Sequence, residues 1–408
     1  MTTFQSLFNL YVAYKAQSAL GSPASGSGGT VLRYTGGTQG ALSKTAIESK
    51  EIRRDAMRTR GRHGFQQTAG GPYTTELSVG SADQIMLALM RGAWDTEITT
   101  TQSDFTSLTT TTSTIVLASG NPITLGFRVG DVIQILTQDA GNNGRNLRII
   151  ALSSTVITVA ETLTLNATPD SSCSIVRRGR KVIMPVAGSL VTTYFTIDEY
   201  LADIDQSELF TDCYWKTGKW SMAPDGLLMF EPSWIGTGNF VAEATGSSPV
   251  LTTPTTPTGT PLAVLDATVR LGSSDLLNLT AFDLTLDNAA AAPQVVGSKY
   301  SPVVLPGQNS VSMNLTVLRE DLSYASDYLA ETGLSLHVLA VDTAAEPKNF
   351  VSLNVPFFTL GGVSKSAASQ AGGAQTETLS VPAALIGADT SGTGYDSTML
   401  SIQVSNNS

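Results

Sequence analysis

The sequence is poor in the residues that carry most chemistry. Of its 408 residues only 14% are charged, and there are two cysteines and two histidines. Cys173 and Cys213 lie far apart with no metal-ligand spacing, which argues against a disulfide framework and a zinc site. His63 and His337 cannot supply the histidine-rich ligand set of a typical catalytic metal. Despite 37 glycines there is no Gly-Lys-Ser/Thr phosphate loop, and no Gly-x-Ser-x-Gly nucleophile sits between a strand and a helix. Asp198 and Glu199 are neighbours on an expected strand, so they point to opposite faces and cannot act as a pair on one glycosidic bond. No apolar run approaches the ~20 residues that span a bilayer. Met1 to Leu20 has no basic leader, and Gln5, Ser6, Asn9 and Lys15 break its apolar run, so it does not read as a secretory signal. These absences give a reading with no enzyme activity, no cofactor and no metal.

What is present is apolar and hydroxyl-rich. Hydrophobic residues make up 41%, enough for folded cores, and Thr, Ser, Gly and Ala fill much of the remainder. That balance suits β-structure with hydroxylated faces and extensive subunit contact. Thirty-four acids against twenty-four bases give a formal charge of -10, which would repel nucleic acid phosphates and not grip them. The length allows two or three domains.

The organisation read along the chain is as follows. Residues 1–30 form an N-terminal arm and a Gly/Ser-rich link, with the arm expected to pack on a neighbouring subunit. A first domain takes residues 31–114 and 179–245, interrupted by a small inserted β-module, SH3-like or OB-like, at 115–178. The Thr-rich stretch 96–114 reads as a linker into that insert, whose only clear stacking aromatic is Phe127. Residues 246–261, rich in Pro and Thr, are a second linker, and 262–408 form a second domain.

The two domains carry a weak internal repeat. In the first copy, Ser43 to Ile52 reads as a strand, Arg53 to Gly70 as a long tip, and Thr74 to Val79 as the returning strand. A helix then starts at an N-cap Ser81 and stops at Gly92. In the second copy, Asp283 to Asp287 is the strand, Asn288 to Gly307 the excursion, Ser310 to Leu318 the return, and Asp321 to Glu331 the helix. The first tip is basic, with seven bases (Lys44, Lys50, Arg53, Arg54, Arg58, Arg60 and Arg62) against Glu48, Glu51 and Asp55. A basic protrusion on an acidic body has a complementary surface available on another copy of itself.

Ser49 to Asp55, Arg62-His63-Gly64, Gly70-Gly71, Glu76-Leu77, Asp83-Gln84-Ile85 and Leu89 to Trp94 together resemble the major tail tube proteins of long-tailed bacteriophages. The resemblance implies a mainly β fold of two tail-tube-type β-sandwich domains, each with a flanking helix. Such domains close into a β-barrel ring on oligomerisation, and rings stack into a tube. It implies trimeric pseudo-hexameric or hexameric rings, with Arg53, Arg54, Asp55, Arg58, Arg60, Arg62 and His63 in the hairpin that contacts neighbouring subunits and rings. It further implies an acidic conduit for transient passage of DNA, and as partners the tape measure, tail terminator and distal tail proteins. The protein would reside in the virion tail after assembly in the host cytoplasm, with no membrane insertion. The competing expectation from composition is a secreted or cell-surface β-sandwich protein, an array former or adhesin.

Overall fold

The computed structural model describes residues 4–55, 57, 61–138, 141–186, 188–243, 246–343, 348–368, 372–387 and 394–405. The fold is mainly β. Strands β1 (Leu10–Ala16), β2 (Gly26–Val31) and β3 (Tyr34–Gly37) precede a long hairpin of β4 (Ala41–Glu48) and β5 (Gly61–Gly70). Then come β6 (Tyr73–Glu76) and helix α1 (Asp83–Met90). The returning strand stops at Glu76, and Ser81 closes a turn onto Ser78 instead of capping the helix, whose N-cap is Ala82. The helix ends at Met90 because Arg91 turns left-handed, with φ 55°.

The next segment holds β7 (Ile98–Thr100), α2 (Gln102–Phe105), β8 (Leu108–Thr110), β9 (Thr114–Leu117), β10 (Val132–Leu136), β11 (Leu147–Leu152), β12 (Val156–Val159), β13 (Asn166–Asp170) and β14 (Ser174–Arg177). The Thr-rich stretch expected as a linker therefore supplies two strands and a helix to this unit. β-branched threonine fits a pleated surface, and Leu108 and Phe105 are buried in the unit's own core. Among the described residues its eight strands pair along an open path from β13 to β7, with no pairing between those two edges as a barrel would have.

The chain continues with β15 (Arg180–Ile183), β16 (Phe195–Leu201), β17 (Gln206–Met222), β18 (Met229–Gly236), β19 (Phe240–Glu243) and β20 (Leu251–Thr255). The Pro/Thr-rich stretch 246–261 is thus not only a linker, since β20 pairs in parallel with β2. The last part holds β21 (Thr268–Leu271), β22 (Ser274–Asp275), β23 (Leu279–Asp287), β24 (Ser310–Leu318), α3 (Ser323–Leu329), β25 (Leu334–Val341), β26 (Phe350–Phe358), β27 (Gly362–Lys365), β28 (Thr376–Val381) and β29 (Ser401–Val404).

The 17-residue β17 organises the molecule. Its first half lies between β16 and β19, and its second half between β18 and β23. The pairing of Thr217–Met222 with Phe282–Asp287 joins the first and second parts of the chain into one fifteen-stranded sheet. A second, six-stranded sheet combines β15 with β29, β26, β25, β21 and β22. The two sheets share a single core, in which Trp215, Trp220, Leu284, Leu315, Val338 and Ile402 are all buried.

The eight-stranded unit has its own core and is pinned to the six-stranded sheet. The Lys181 ammonium of β15 is ion-paired with Asp131 of the unit and with Asp396. Burial alone would pull that lysine's pKa down, but the two carboxylates outweigh it and hold it up. Arg148 reaches Glu161 at 2.6 Å and Asp275 at 2.8 Å, and the Gln403 side chain bonds both backbone groups of Val132 at 2.8 Å.

Candidate assembly surfaces

Among the described residues no group of acids, histidines and cysteines could hold a metal, and no helix is long and apolar enough to cross a membrane. The features that stand out are surfaces. The first is the hairpin. Every residue of β4 is exposed, and β5 registers on β18 only through Thr68–Gly70, so the rest of the hairpin runs on past the end of β18. Arg53, Arg54 and Asp55 follow β4 in the exposed tip, where Arg53 and Asp55 pair at 2.7 Å. Arg62 and His63 are exposed on β5 opposite Ile47 and Ala46. Arg58 and Arg60 lie outside the described residues. The expected tip from Arg53 to Gly70 is shorter than anticipated, because Gly61 to Gly70 is itself strand. With Phe65 and Ala69 as its only larger apolar side chains, it shows no clear alternation. The excursion 288–309 supports the hairpin: the Gln66 amide donates to the Lys299 carbonyl at 2.8 Å.

The hairpin root is held by one carboxylate. Glu199 Oε1 accepts the Gly40 amide at 2.8 Å and the Tyr73 hydroxyl at 2.7 Å, so it ties the residue before β4 to the strand after β5. Tyr73 in turn accepts the Trp234 indole N–H at 2.9 Å. Burial pushes the Glu199 pKa up, these hydrogen bonds offset part of the rise, and the nearby Glu208 and Asp198 charges add to it. The sequence pattern, with a catalytic pair excluded, leaves Asp198 and Glu199 as solvated acids or acids on the wall of a channel; both are instead buried.

The second surface is the face of the large sheet that points away from the core. In β23 the side chains Leu284 and Leu286 point in, while Asp283, Thr285 and Asp287 point out. Registered with them are Thr217, Lys219 and Ser221 of β17 and Ser310, Ser312 and Asn314 of β24, and Thr316 follows on the same face opposite Ala281. Thr376, Thr378 and Ser380 of β28 and Glu231 and Ser233 of β18 extend the same face. It is a continuous wall of hydroxyls, amides and carboxylates. Thr316 and Thr378 are hydrogen-bonded at 3.2 Å, and Lys219 pairs with Asp283 at 3.0 Å, which leaves Asp287 and Glu231 to make the wall acidic.

The third surface is the pair of lateral edges. Across the strands β3, β6, β18, β17, β23, β24, β28 and β27 the sheet ends in β3 on one side and β27 on the other. Among the described residues neither has a strand partner on its outer side, and such an edge is the usual template for a further strand.

A family model described as phage tail tube protein matches residues 8–385. The chain belongs to that family. It is a structural component of the phage tail, as the family description implies, and the match runs through both parts of the sheet and through the eight-stranded unit between them. Comparison with curated proteins gives no match. Within this tail tube protein, the resemblance read from the sequence and the mainly β fold agree.

Proposed function

We propose that three copies of this tail tube protein form a pseudo-hexameric ring, that rings stack into a tube, and that the polar face of the large sheet lines the passage for DNA. The observation that carries this reading is the junction of β17 with β23, which makes one sheet out of two parts of the chain and leaves edges at β3 and β27. Edge-to-edge pairing of β27 with β3 of the next copy would continue the sheet around a ring and remove both edges, as closure into a barrel does. The strand, strand and helix order of β4–β6–α1 and of β23–β24–α3 supports a duplicated ring domain, although β5 and β6 pair with β18 whereas β23 and β24 pair with each other. A hydroxyl-rich wall bearing Asp287 and Glu231 would repel phosphates and offers few cations to hold them. The tape measure, terminator and distal tail proteins are the further partners of such a tube, and the phage tail is its site.

Negative-stain microscopy of concentrated purified protein tests the reading: hollow tubes with a regular ring repeat are expected, and persistent monodisperse monomers would overturn it. In the same assay the hairpin substitutions Arg53→Glu, Arg54→Glu and Arg62→Glu together should raise the concentration needed for polymerisation. Tubes formed as readily as by the wild type would remove the hairpin charge from ring docking.

A further inference from the structure

Contrary to the expectation that the N-terminal arm as a whole packs on a neighbouring subunit, Leu10–Ala16 pairs with β16 of its own chain and buries Val12 and Tyr14 in the main core. The stretch 4–9 ahead of it is built inside out. Its polar side chains face its own body: the Ser6 backbone N–H donates to Asp203 at 2.7 Å, the Ser6 hydroxyl and Asn9 amide also bond that carboxylate, and the Gln5 side chain accepts the Asp203 amide at 3.1 Å. Its apolar side chains point to solvent, with Phe4 82%, Leu7 96% and Phe8 88% exposed. A monomer rarely displays three large apolar side chains in five residues.

A complementary feature lies elsewhere on the same chain. A cavity of about 340 Å³ is lined by Met222, Val264, Val269 and Leu276, and two leucines on its rim, Leu265 and Leu277, are 88% and 97% exposed. Next to it, Leu318 exchanges backbone hydrogen bonds with the Asn278 backbone and side chain, and α3 follows with Leu322 and Leu329 also exposed. That end of the molecule carries several exposed leucines around a pocket whose lining also includes Asp225 and Thr280.

The strand register puts the two features at opposite ends. Leu10 pairs with Leu201, and Leu201 with Gln206, so the arm leaves from the start of β17. Met222 closes β17 beside Phe282 and lines the cavity. Seventeen strand residues separate these points by roughly 50 Å, less a little for the bulges. A patch and a pocket on different surfaces make a heterologous contact, which repeats along an axis and does not close as a dimer.

We propose that Phe4, Leu7 and Phe8 of one copy seat in the Leu265/Leu277 pocket of another, joining copies head to tail along β17. This rests on the tube reading above and assigns the axial contact between rings, distinct from the edge pairing that would close each ring.

The test mixes two single variants, Leu7→Cys and Leu277→Cys, with a short bismaleimide. The native thiols Cys173 and Cys213 are buried, which keeps the background low. A cross-linked dimer is expected in the mixture and not in either variant alone, and Leu265→Cys in place of Leu277→Cys should behave alike. Tubes visible by microscopy with no cross-link at either rim position would overturn the proposal. Replacing Phe4, Leu7 and Phe8 together by Ser should raise the polymerisation threshold roughly tenfold or more while circular dichroism stays unchanged; an unchanged threshold would also overturn it. If the wild type never forms tubes, the tube reading fails by itself, and the cross-link in the soluble mixture still decides the arm contact.

Discussion

At the scale of single residues, Glu199 couples a surface element to a buried ionisation. Both of its hydrogen bonds fall on one oxygen, Oε1, so an amide in its place can keep them. Because its folded-state pKa is raised, the folded protein holds a proton there that the unfolded chain has released. Stability linked to this group is therefore greatest below the ordinary glutamate pKa and falls as pH rises through the raised one. Asp198 and Glu208 are raised in the same direction, by burial first. Glu199→Gln should leave the melting temperature equal or higher at alkaline pH and flatten its fall as pH rises above the ordinary glutamate range. Glu199→Ala should cost about 1–3 kcal/mol by leaving the Gly40 and Tyr73 donors without their acceptor. Calorimetry across pH separates these outcomes, and a Gln variant with the wild-type pH slope would remove Glu199 from the linkage. His337 is buried against Ser352 at 2.7 Å, and burial pushes its pKa down to about 3, so it stays neutral near pH 7.

At the scale of elements, the strength of the hydrophobic alternation decides what the sequence reveals. β16, β18, β23 and β24 alternate or run apolar and are visible as strands, and the Pro-Asp-Gly of the turn from Ala223 to Gly226 is equally plain. β5 and β7 to β8 are hidden, because a hairpin standing in solvent needs no apolar face and a Thr-rich strand looks like linker. Pairing between distant strands is the other illegible part: nothing local in Gln206–Met222 says that it borders four strands. The outward face could have been found from Asp283, Thr285 and Asp287 alternating with leucines, a two-residue period that names a wet side. Gly70 illustrates packing at the hairpin root. A Cβ there would stand 2.6 Å from the Trp234 indole, which is buried and bonded to Tyr73. Gly70→Ala should lower stability by about 1–3 kcal/mol through that overlap, measured by thermal unfolding, and an unchanged melting temperature would show that Trp234 moves aside freely.

At the scale of the whole molecule, the proposed passage for DNA makes the sign of the sheet's outer face testable. Asp283→Lys, Thr285→Lys and Asp287→Lys together turn an acidic wall basic while leaving the core face of β23 untouched. Tubes of that variant should retain DNA at low salt and release it as salt rises, read by filter binding of assembled material; equal retention by wild type and variant would mean that this face does not meet DNA. The junction of β17 with β23 has a further thermodynamic meaning. In the ring proposed above, six separate domains would make every joint depend on protein concentration, whereas the joint between the two parts of this one chain forms at the effective concentration set by their covalent connection. Dilution can then dissolve only the joints between chains. On that proposed ring, damage at β17–β23 would register as an unstable subunit, and damage at β3 or β27 as a stable subunit that fails to assemble.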